Sequence, residues 1–187
     1  HEDLQFVYVF EGSAELQTLE ESARLKAGEG VFLNKNVVHQ ILQGEGCHYN
    51  SFLFPEQFLK FYPGSPAADL VEKITTNQAL PYLFLHPDGA WQTAVLQQLH
   101  ELAELEWHKT VFYPYEVLTR LVSLWLILQK NVSLPPQKQE NAVNTRMRCF
   151  LQYVETHYSE EITLEQLAQS AHVSKSECLR CFRVSLQ

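Results

Sequence analysis

The sequence predicts an α+β chain: a β-barrel or sandwich, then a helical hairpin, then a small all-α helix-turn-helix module. Three observations carry this. Residues up to about Pro55 form short alternating runs separated by glycine turns. Residues 91–130 change to helical spacing. Near the end, Thr163–Gln166 and Ser174–Glu177 are two helix-start signals with little chain between them.

The strands come first. "LQFVYVF" alternates and stops at Glu11-Gly12, and "SAELQTL" follows. "ARLKAGEGVFLN" turns at Gly28 and Gly30, and "HYNSFLF" closes the run at Pro55. Short strands at regular spacing fit a barrel or sandwich, placed at about residues 1–66.

"PAADLVEKI" has room for one or two helical turns. Then Trp91, Val95, Leu99, Leu102 and Leu105 fall at helix spacing. A second helix, "PYEVLTRLVSLWLILQK", is apolar nearly all the way round from Val117 to Leu128. It is too short, and carries Glu116 and Arg120, to span a bilayer that needs about 20 apolar residues. A soluble helix of this kind must be covered on every side. One sheet and one helix rarely cover so much, so residues 91–130 are expected to form a homodimer interface. "NVSLPPQKQENAVN", residues 131–144, has a proline pair and no periodicity, and reads as a linker.

The module from residue 145 to the end begins with "TRMRCFLQYVETHY", which places Met147, Phe150, Leu151, Val154 and Tyr158 at helix spacing. Two capping boxes then start helices at about Leu164 and after Ser174. Leu167, Ala171, Val173, Cys178 and Phe182 supply a shared seam, and Ala168 is small where the helices approach. A helix-turn-helix of this kind lays its second helix in a DNA major groove. The seam leaves Lys175, Ser176, Leu179, Arg180 and Arg183 facing outward. Arg180 suits a guanine edge, Lys175 a phosphate, and Ser176 either. The plainer alternative is a solvated helix face. His172 occupies the turn position where glycine is usual, and histidine tolerates a left-handed backbone.

Charge supports the division. Residues 1–143 hold 9 Lys/Arg against 17 Asp/Glu, whereas 144–187 hold five of each. An acidic body disfavours nucleic acid on the first part and leaves the last part free to approach phosphates. Four cysteines in 187 residues are no disulfide framework and fit a reducing cytoplasm. Cys178 and Cys181 share a helix face on the seam and read as core, not as a zinc or redox pair.

"ITLEQLAQSAHVSKSECLRCFR" resembles the first helix-turn-helix unit of the AraC/XylS family of bacterial transcription regulators. "FVYVFEGSAEL" and "AGEGVFLNKNVVHQI" resemble that family's cupin-like sensor barrel. The resemblance implies an effector-binding and dimerisation domain over 1–130 and the first part of a DNA-binding domain over 145–187. The second unit would lie beyond Gln187, so the chain reads as truncated. Implied partners are double-stranded DNA, a small-molecule effector and a second copy of the chain, with no membrane. The implied location is the cytoplasm, associated with the nucleoid.

Cupin enzymes bind metal through several histidines and a glutamate. Here His39 matches one histidine and His1 another, but Asp3 and Gln43 stand where further ligands belong. No cofactor, metal or catalytic residue is expected. The alternative is a small metal-free cupin enzyme of sugar-isomerase type with a helical tail. Tyr8 and Phe10 share a strand face with Phe6, while Asn50, Phe52 and Phe54 share another. Tyr8, Phe10, His39, Asn50 and Phe52 are the candidate ligand contacts. Such a lining suits a sugar or a small amphipathic metabolite.

Overall fold

The computed structural model describes residues 2–136 and 142–185. His1 and part of the expected linker, residues 137–141, lie outside the described residues.

Strand β1 (Leu4–Glu11) is buried on both faces for most of its length, which explains its near-continuous apolar run. It pairs antiparallel with β4 (Gly30–Leu33) and β6 (His48–Phe54), and β7 (Tyr82–Leu85) pairs with β4. The sheet order is β6-β1-β4-β7. A second, three-stranded sheet runs β3 (Ser22–Lys26), β2 (Ser13–Thr18), β5 (His39–Gln43). Among the described residues these are two open antiparallel sheets, not one closed barrel.

The chain crosses from one sheet to the other at Gly12, whose φ is +67°. A Cβ there would lie 2.7 Å from the Gly46 carbonyl oxygen, so the corner requires glycine twice over. Gly30 is held for a different reason. A Cβ would meet the Val7 carbonyl oxygen at 2.6 Å and the Leu96 side chain at 3.1 Å.

The two faces of the larger sheet feed two cores. Val7, Val9, Val31 and Leu33 meet Ala14, Leu16 and Leu25 between the sheets. Leu4, Phe6, Phe32 and Phe54 point the other way, toward helices. Those are α1 (Gln57–Lys60), α2 (Ala68–Thr75), α3 (Ala90–Trp107) and α4 (Tyr113–Asn131). Fully buried Leu99, Leu124 and Leu128 anchor α3 and α4, each contributing roughly 1.5–3 kcal/mol over an exposed position. Helix α4 is apolar on more sides than the molecule covers: Leu121, Leu124, Trp125 and Leu128 are buried, while Tyr115, Leu118 and Leu126 are exposed. No helix among the described residues is long and apolar enough to cross a membrane.

The last three helices are α5 (Ala142–His157), α6 (Leu164–Ser170) and α7 (Lys175–Ser185). They share a separate core of Met147, Phe150, Ala168, Cys178 and Cys181, with Phe150 and Phe182 stacked at 5.4 Å.

Candidate functional site

The helix-turn-helix is built locally. Thr163 Oγ1 accepts from the Gln166 backbone N–H, and Gln166 Oε1 accepts from the Thr163 N–H, completing a capping box. The turn to α7 places His172 at φ 55°, the left-handed value its position demands.

The second box forms only half. Ser174 Oγ accepts from the Glu177 N–H at 3.2 Å. The Glu177 carboxylate turns to two arginines: Oε2 accepts from Arg180 Nε at 2.7 Å, and Oε1 accepts from Arg180 Nη2 at 2.6 Å and from Arg146 on α5. A carboxylate prefers guanidinium donors to a backbone amide, and these bonds are charge-assisted. The neutral amide of Gln166 has no such choice. Hydrogen bonding to Arg180 holds the Glu177 carboxyl below its ordinary pKa, and the same contact raises that of Arg180.

Lys175, Ser176, Leu179, Arg180 and Arg183 all lie on the exposed side of α7, opposite Cys178 and Cys181. Lys175 pairs across the turn with Glu165 at 2.7 Å. The buried cysteines fill the module core, and burial followed by the neighbouring Cys181 raises the Cys178 thiol pKa.

The ligand candidates sort differently. Register places Tyr8 opposite Asn50 and Phe6 opposite Phe52, so the two aromatic rows share one sheet face. That face turns toward α3 and α4, not into the space between the sheets, which Val7, Val9 and Leu16 fill. Phe10 packs 5.2 Å from the His48 ring and 5.4 Å from His100 on α3. Tyr8 meets His100 edge-on at 6.0 Å, and burial raises its phenol pKa. Asn50 and Phe52 line a hollow of about 490 Å³ with Gln43, Leu102, Glu106 and Tyr113. The Tyr113 hydroxyl donates to Glu106 at 2.5 Å across one side of it.

His39 stands apart, on the smaller sheet opposite Thr18. Its Nδ1 lies 3.0 Å from the Val37 carbonyl oxygen, and burial lowers its pKa. No three His, Cys, Asp or Glu side chains among the described residues are grouped to hold a metal.

A second hollow, about 500 Å³, lies where the sheets meet α5. Its walls include Asn34, Asn36, Asn77, Tyr82, Asn144 and Arg148. Sequence reasoning passed over these residues because they come from three distant stretches with no shared period. Asn34 is buried and donates to the carbonyls of Ile74 and Leu80, fixing one wall. At the rim Asn144 donates to Glu20 at 3.0 Å, and Leu19 packs on the core of the last three helices.

Residues 1–109 match the family model described as the AraC-like ligand binding domain. The chain is 29% identical over 192 residues to the uncharacterised HTH-type transcriptional regulator YdeC of Bacillus subtilis (strain 168). That match covers 98% of this chain and 63% of the relative, so the chain spans less than two thirds of that protein's length. An apo variant of ToxT from Vibrio cholerae is similar in fold, with TM-score 0.51 at 14% identity over 98% of this chain and 67% of that one. The AraC-like transcriptional activator CuxR aligns at TM-score 0.46 and 14% identity, over 97% and 61% of the two chains. The match to more than half of its length, on the two-sheet fold described above, makes this chain a member of the AraC-like ligand binding domain family.

Proposed function

We propose that the chain is the sensor and first DNA-reading unit of a ligand-responsive transcription regulator, and not an enzyme. Residues 1–130 form the effector-binding and dimerisation domain, the linker expected over 131–144 gives way to α5 at Ala142, and that helix starts the DNA-binding domain, which runs to 187. The observation that carries the reading is the exposed side of α7. All five outward residues stand on it, while the apolar seam packs against α5 and α6. Arg180 reads a base edge, Lys175 and Arg183 meet phosphates, and Ser176 and Leu179 contact the groove.

The effector, a sugar or a small amphipathic metabolite, enters the hollow beside Asn50 and Phe52. Tyr8 and Phe10 belong to the same sheet face but lie outside the hollow's lining, and His39, on the other sheet, does not reach it. Gln43, Asn50 and Glu106 offer hydrogen bonds there, and Phe52 offers an apolar ring. The uncovered side of α4, with Tyr115, Leu118 and Leu126, is the homodimer contact. The protein acts in the cytoplasm on nucleoid DNA.

The test is Arg180→Ala across a set of duplexes differing at single base pairs. The variant is expected to lose discrimination at one position by about 1–3 kcal/mol and to keep it elsewhere. Unchanged discrimination at every position would remove Arg180 from the readout.

A further inference from the structure

Glu177 has an obvious sequence role, as the N3 residue of a capping box, and the structure does not use it that way. Its backbone N–H donates to Ser174 Oγ, but both carboxylate oxygens accept from arginines. The two arginines come from different helices: Arg146 from α5, and Arg180 from the next turn of α7.

The atoms engaged on Arg180 are informative. A guanidinium has five N–H bonds arranged as two forks. The side fork, Nε–H with one Nη2–H, is occupied by Oε2 and Oε1 of Glu177 at 2.7 and 2.6 Å. The end fork, Nη1–H with the other Nη2–H, is the pair that matches O6 and N7 of guanine in the major groove. With its side fork occupied, the half-exposed side chain has its plane and direction fixed by the carboxylate. Arg146 in turn ties that carboxylate to α5, so the support does not depend on α7 alone.

We propose that Glu177 is a positioning residue for base readout: clamped by Arg146, it holds the Arg180 side fork so that the end fork is presented to guanine. This rests on the reading of α7 as the groove helix. A free arginine loses rotamer freedom on binding a base, whereas a clamped one has already lost most of it. Glu177 therefore raises discrimination, not general affinity. Its negative charge lies near the phosphates and opposes non-specific binding.

The experiment is selection of binding duplexes from a randomised pool by the full-length protein, carried out for wild type, Glu177→Gln, Glu177→Asp and Arg180→Ala. Affinity for an unrelated duplex is measured in parallel. Arg180→Ala should lose one guanine from the selected motif. Glu177→Gln should reduce preference for that same guanine about tenfold, within the range a bidentate pair supplies, with non-specific affinity equal to wild type or higher. Glu177→Asp, which retains a carboxylate, should recover part of the preference. A merely structural role would lower specific and non-specific binding together and leave the motif intact. Glu177→Gln retaining the wild-type motif while Arg180→Ala loses the guanine overturns the proposal alone. Arg180→Ala retaining the motif overturns both the proposal and the base-reading role of Arg180.

Discussion

The Asn144 side chain donates a 3.0 Å hydrogen bond to the Glu20 carboxylate, joining residues 124 positions apart in sequence. Glu20 sits on the turn between β2 and β3, and Asn144 on the first turn of α5. With Leu19 packed on the core of the last three helices, it connects the sheets to the helix-turn-helix.

The first prediction follows from that contact. A single exposed hydrogen bond is worth about 0.5–1.5 kcal/mol, so Asn144→Ala limits coupling by at most roughly tenfold. DNA affinity without effector should be unchanged, and the effector-induced change in affinity should shrink. The measurement is a DNA titration with and without effector for both proteins.

Helix α4 leads to the second. Leu126 is exposed on the same helix as Tyr115 and Leu118. Leu126→Glu should shift the protein from dimer to monomer in sedimentation with little change in melting temperature, because no core contact is lost. A dimer that survives in the variant would place the interface elsewhere.

Gly12 tests the sheet crossing. Gly12→Ala adds a Cβ 2.7 Å from a backbone oxygen at a φ of +67°. The expected destabilisation exceeds ~1 kcal/mol in chemical denaturation. His172→Gly is the opposite case: relieving φ 55° at an exposed turn should stabilise the last three helices by up to ~1 kcal/mol.

His39 carries a pH dependence. Burial lowers its folded pKa, partly offset by the Val37 carbonyl. The folded state thus takes up a proton less readily than the unfolded chain. This contribution to stability is whole above the unfolded value of about 6.5 and falls as pH drops through it toward the folded pKa. Melting temperature should decline as pH falls below about 6.5, and His39→Gln should flatten part of that decline.

For the hollow at Asn50, a thermal-shift screen of monosaccharides should identify a stabilising ligand, and Asn50→Ala should abolish the shift. Loss of a buried polar contact to such a ligand costs about 1–3 kcal/mol, or roughly five- to 150-fold in affinity. A shift retained in full by Asn50→Ala and Phe52→Ala would move the site away from this face.

Much of the fold was legible because it rests on local signals. The apolar run in "LQFVYVF", buried on both faces where simple alternation was expected, the row from Trp91 to Leu102 and the Thr163 box each specify an element by themselves. Strand β7 was not legible, since "YLFL" is too short to show a period and pairs with β4 some fifty positions earlier. Alternation also gave the shared faces of Tyr8 with Phe10 and of Asn50 with Phe52. It did not show that register joins both rows on one face turned toward α3 and α4. The fate of the Ser174 box was equally hidden: of the two competing donors, Arg180 lies three residues along the same helix, but Arg146 approaches from another.

The most direct test of the account is the salt dependence of DNA binding. The full-length protein and Lys175→Ala should be titrated onto a duplex over a series of salt concentrations. Log affinity should fall linearly with log salt for the wild type, and the variant should bind every sequence more weakly with a slope smaller by about one. Binding that does not vary with salt, or no binding at low salt, would contradict a DNA-reading role for this chain.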